Sequence, residues 1–160
     1  MGFDIYLQAN GERLAEGEPT YLGLTTSQMA RITDAMKNFG MLVELSPPVY
    51  PTLATYGLSR ADFHPDVRHD PATTNRIAEY RAAYQAVKEA ADPHPRGIPS
   101  YKVAFSAGYL ITPAEITAAL TTYEAHPHVD IAEMPVGDPT WRNWVAFLRR
   151  AQAHGGLRVR

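Results

Sequence analysis

Tyr109-Leu110-Ile111-Thr112-Pro113-Ala114-Glu115-Ile116 reads as the end of a strand followed at once by the start of a helix. Thr112 and Glu115 are spaced as a capping box, in which hydroxyl and carboxylate each satisfy a backbone N–H that the first helical turn leaves without a partner. Pro113 stands at the first helical position, where a missing N–H costs nothing. Beyond it Ile116, Leu120 and Tyr123 recur at helical spacing and predict a buried face. Upstream, Tyr101, Val103 and Phe105 alternate with Lys102 and Ala104, and Ser106-Ala107-Gly108 offers a turn, so a β-hairpin is predicted over residues 101–111. Downstream, Asp138-Pro139 opens another capped helix with Trp141, Trp144, Val145, Leu148 and Ala151 on one face. Gly155-Gly156 ends it, and Leu157 to Val159 is predicted as an edge strand, with Arg158 and Arg160 as edge-protecting charges.

The remainder of the chain is consistent with this frame. Phe3, Ile5 and Leu7 alternate with Asp4, Tyr6 and Gln8, the pattern of a half-buried strand, and Asn10-Gly11 supplies a turn. Thr25 or Thr26 caps a helix carrying Met29, Ile32, Met36 and Phe39, which Gly40 stops. Met41 to Leu45 is predicted as a short buried strand running back across the sheet. Residues 46–71 carry Pro47, Pro48, Pro51, Pro65 and Pro71 with Gly57, which predicts an irregular segment around a helical turn near Ser59 to Phe63. Asp70-Pro71 then opens a long helix with Ile77, Tyr80, Tyr84 and Val87 as its buried stripe, and Asp92 to Pro99 is a connection. The expected class is α+β, a small mixed or antiparallel sheet with about three to four helices packed mainly on one face. A single domain over residues 1–160 is expected, with its irregular Pro-rich segment at about 46–70.

Composition narrows the function classes. The 160 residues are 45% hydrophobic and 20% charged, enough for one core, and the net charge of -2 gives no global reason to bind nucleic acid or an anionic membrane. The absence of cysteine rules out disulfides, thiolate nucleophiles and cysteine metal sites. No apolar run approaches a membrane span and no signal-peptide pattern opens the chain, so a cytoplasmic protein is expected. Phosphate-binding glycine loops, nucleophile elbows and the His-Glu-x-x-His helix are all missing from the sequence.

Three segments together resemble small uncharacterised proteins of actinobacteria and their phages. They are Met1-Gly2-Phe3-Asp4-Ile5, the Gly108 to Glu115 stretch, and Trp141-x-x-Trp144-x-x-Phe147-Leu148 with His154-Gly155-Gly156. The resemblance implies a phage-related accessory protein and transfers no activity and no catalytic residue.

Four constellations carry candidate chemistry. His126-Pro127-His128-Val129-Asp130 offers two imidazoles and a carboxylate of the kind that suits zinc, with His64 as a further donor, and it resembles part of the metal motif of metallo-β-lactamase-fold hydrolases. Ile131 stands where that motif has a further His; the plainer reading is a polar loop after a helix. His64-Pro65-Asp66-Val67-Arg68-His69-Asp70 concentrates imidazoles and carboxylates on a loop, with His69 as a candidate base oriented by Asp66. Arg142, Arg149 and Arg150 form a positive strip on the outer face of the last helix, a candidate oxyanion or acidic-protein surface or simply a solvated face. Tyr50, Tyr56 and Phe63 lie among the prolines, either as a partner surface or folded back onto the core. The leading expectation is a non-enzymatic protein-binding accessory factor, without cofactor, acting through the middle segment or the last helix. A metal-assisted hydrolase or small-ligand binder using the His64–His69 and His126–Asp130 clusters is the alternative, and nucleic acid comes third.

Overall fold

The computed structural model describes residues 2–9, 19–126 and 138–160, so the expected turn at Asn10-Gly11 lies outside the described residues. The chain forms two compact units, Met1–Ser46 together with Ala91–Arg160, and Pro47–Ala90. The fold is α+β, as the alternation and capping signals predict.

In the first unit β1 (Gly2–Leu7) pairs antiparallel with β2 (Tyr21–Thr25) on one side and with β6 (Leu157–Val159) on the other. β6 also pairs antiparallel with β5 (Leu110–Ile111), giving the order β2-β1-β6-β5. The C-terminal strand is therefore interior, not the edge strand expected from its charges. Arg158 does not guard an edge. It is 9% exposed, and its guanidinium donates to Gln8 Oε1 at 3.2 Å and to the Gly108 carbonyl at 2.8 Å. Ile5, Leu7, Ile111, Leu157 and Val159 point into the core, whereas Tyr6 and Tyr21 face outward, as period-2 alternation requires.

Two further expectations are corrected. The run from Met41 yields only β3 (Leu42–Val43), and it pairs parallel with β4 (Ile98–Pro99) in a separate two-stranded sheet. Gly97 permits this approach, because a Cβ there would sit 2.6 Å from the Met41 carbonyl, and Pro99 lacks the N–H needed to extend the ladder. The predicted hairpin over 101–111 loses its first arm, since Ser100–Ala104 is a short helix, α3. A strand would send the neighbours Lys102 and Val103 to opposite faces, yet both are fully buried, which a helical turn allows.

The other helices follow their caps. α1 (Thr26–Asn38) starts at a Thr25–Gln28 capping box, α4 (Pro113–Glu124) at the Thr112–Glu115 box, and α5 (Pro139–Gln152) at Asp138. α5 packs against α4 and α1, burying Trp141, Trp144, Val145, Leu148 and Ala151 as expected, and Phe147 besides. Phe39 stacks on Trp141 at 5.6 Å and meets Tyr123 edge-on at 4.6 Å, so the helix ends are locked by rings.

The second unit contains two 3-10 turns, Leu53–Tyr56 and Arg60–Phe63, followed by α2 (Pro71–Glu89). Asp70 caps α2, accepting from the Thr73 N–H at 2.6 Å. Of the expected stripe only Ile77 is buried; Tyr80 and Val87 are half-buried and Tyr84 is 37% exposed. Among the described residues no helix is long and apolar enough to cross a membrane.

Candidate binding cleft

Local hydrogen bonding in the Pro47–Ala90 unit builds a cleft beside α2. Ser59 and Asp62 form a capping box, with the Ser59 N–H and hydroxyl donating to Asp62 Oδ2 at 2.7 and 3.0 Å, and this closes the turn Arg60–Phe63. Those bonds hold the Asp62 carboxyl below its ordinary value, the backbone N–H of Ser59 contributing most. His69 folds back so that Nε2 lies 2.8 Å from the Asp62 carbonyl. A carbonyl only accepts, so the nitrogen that faces it, Nε2, carries a proton.

α2 supplies the opposite wall. Phe63 meets Tyr80 edge-on at 5.7 Å, and the Arg81 guanidinium lies 5.7 Å from the Phe63 ring centre. Between them is a cleft of about 360 Å³, lined by Asp62, Phe63, His64, Val67, His69 and Arg81 with Ile77 among its apolar floor residues. Its charges are unequal in availability. The Asp62 carboxylate is engaged by Ser59, whereas Arg81 has no ion-pair partner among the described residues.

The residues singled out from sequence are distributed as follows. Asp66 stands 3.5 Å from His64 Nδ1, both largely exposed, and no ion pair joins it to His69 among the described residues. Tyr50 packs on Tyr84 at 4.7 Å and Tyr56 on Tyr80 at 5.7 Å, so both rings turn onto α2, and of the three loop aromatics only Phe63 lines the cleft. Arg149 lies 3.4 Å from Glu124; Arg150 donates to the Pro19 carbonyl at 3.1 Å and sits over Phe147; Arg142 is exposed. His126 Nδ1 lies 2.7 Å from the Thr122 carbonyl, while His128 and Asp130 lie outside the described residues. No group of three metal-ligating side chains assembles among the described residues.

Arg81 and Val67 were not among the candidates. The signal for Arg81 was present, because Thr74, Ile77, Ala78 and Arg81 recur at i, i+3, i+4 and i+7 and so share one face of α2. No protein-family model matches this chain, and no curated protein or solved structure matches it.

Proposed function

We propose that this is a non-enzymatic binding protein that holds a segment of a partner protein in the cleft of the Pro47–Ala90 unit. The carrying observation is the character of the cleft: aromatic and apolar walls from Phe63, Val67 and Ile77, with Arg81 in the lining and without an ion-pair partner among the described residues. Such a mixture of ring, aliphatic surface and arginine is what protein-recognition surfaces enrich. Acid–base chemistry finds less support there, since Asp66 stands beside His64 and no ion pair joins a carboxylate to His69 among the described residues. The accessory role that the phage resemblance implies is compatible with a binding module.

Photo-crosslinking tests the reading. A benzophenone amino acid placed at Val67, 43% exposed, is expected to capture a discrete partner in the native cell, and one placed at Arg142 on α5 is not. Capture from position 142 alone, or from neither position, rejects the cleft as the docking site.

A further inference from the structure

Within that reading, and resting on it, we infer that the cleft recognises an acidic peptide segment: a carboxylate side chain seated on Arg81, flanked by an apolar residue packed on Phe63, Val67 and Ile77. Three observations point there. The Arg81 guanidinium lies 5.7 Å from the Phe63 ring centre, and its forked donors have no anion among the described residues. The Asp62 carboxylate in the lining accepts two bonds from Ser59 on Oδ2, so that oxygen is engaged within the turn and forms no ion pair with Arg81. His69 Nε2 is turned to the Asp62 carbonyl and His64 Nδ1 lies 3.5 Å from Asp66, so each imidazole already has one nitrogen engaged within the loop.

The charges of the cleft suit a carboxylate better than a phosphate. Phosphate-reading sites gather several arginines to balance nearly two negative charges. Here one guanidinium faces the ligand while Asp62 lines the cleft and Asp66 lies next to His64, so a dianion would meet about twice the carboxylate repulsion that a monoanion meets. The apolar walls supply the remaining affinity by covering the apolar residue that flanks the carboxylate.

The test is a selection of random displayed peptides against the full chain, followed by binding titrations of the enriched peptides. Enrichment of Asp or Glu next to Leu, Ile or Phe is expected, with affinity falling about tenfold or more for Arg81→Met and for the Glu→Gln peptide, as for loss of a charge-assisted hydrogen bond. Arg81→Lys is expected to fall in between, because it keeps the charge and loses the fork. Arg81 is exposed, and an unchanged thermal midpoint of both variants assigns these losses to the cleft. Peptides that bind through the cleft, being lost with Val67→Asp, yet show no acidic preference and no response at Arg81, overturn the carboxylate and leave the protein-binding reading standing. Tighter binding when the acidic residue is replaced by phosphoserine overturns the choice of a monoanion. Failure to enrich any peptide sensitive to Val67→Asp overturns both.

Discussion

Lys102 and Glu115 show how much of this fold turns on single side chains. Both are fully buried, with Lys102 Nζ donating to Glu115 Oε1 at 2.7 Å, to Oε2 at 3.0 Å and to the Leu110 carbonyl at 2.7 Å. Glu115 Oε2 also accepts the Thr112 N–H at 2.9 Å, so one carboxylate caps α4 and anchors α3. Burial pushes the Lys102 ammonium down from its ordinary value, and Glu115 draws it back in part. Removing one partner of such a pair strands a charge in a medium that cannot solvate it. Lys102→Met is therefore expected to destabilise the protein by about 3–5 kcal/mol, read as a lowered urea midpoint. Lys102→Met with Glu115→Gln, which keeps a capping acceptor but removes the charge, should regain a substantial part. If the double variant is no more stable than the single, the stranded charge is not the cause. The capping half of this arrangement was legible in the sequence from the Thr-x-x-Glu spacing. The other half was not, because a lysine reads as a surface residue until its partner is seen.

At the scale of elements, local chemistry decided helices well and strands poorly. Asp70-Pro71, Thr112-Pro113 and Asp138-Pro139 each begin a helix where expected, because a side-chain cap and a preset φ act within a few residues. α3 eluded the alternation rule since Lys102, counted as polar and outward, is inward. β6 was read as an edge because pairing on both sides of Arg158 is a fact about Tyr6 and Leu110, remote in sequence. β2 was missed altogether, being a short run broken by Gly23. The Gly155-Gly156 stop was legible, and its reason is now specific. Gly156 has φ +87°, its N–H bonds the Ala151 carbonyl at 3.0 Å, and a Cβ would stand 2.1 Å from the Ile111 carbonyl of β5. Gly156→Ala should cost about 1–2 kcal/mol from backbone conformation alone, with displacement of β5 added to it. Gly155→Ala serves as the control for the loss of glycine flexibility. Equal urea midpoints for the two variants would remove the argument from Gly156.

Across the whole molecule, the α+β class was legible because the caps and periodicities agreed with one another. The cleft was legible only in part: the His64–His69 loop was singled out, but the wall that gives it a charge, Arg81 on α2, is brought near by the fold of the Pro47–Ala90 unit. One stability trait is shared by both units. Asp70 at α2, Asp62 in the turn before it and Asp138 at α5 each have a carboxyl held below its ordinary value of 3.8, chiefly by the backbone N–H groups of Thr73, Ser59 and Thr140 respectively. Arg31, hydrogen-bonded to Asp138, adds to the effect there. A carboxyl with a lower pKa folded than unfolded contributes stability that is complete above the unfolded value and is lost as pH falls through the folded one. Folding stability is thus expected to hold down to about pH 4 and to decline below it as these caps protonate. Asn is a competent N-cap that does not titrate, so Asp70→Asn and Asp138→Asn together should flatten the acid limb while leaving a folded protein at neutral pH. Urea midpoints measured across the acid range decide it: a double variant whose midpoint falls as steeply as the parent's would show that other carboxylates set the acid limit.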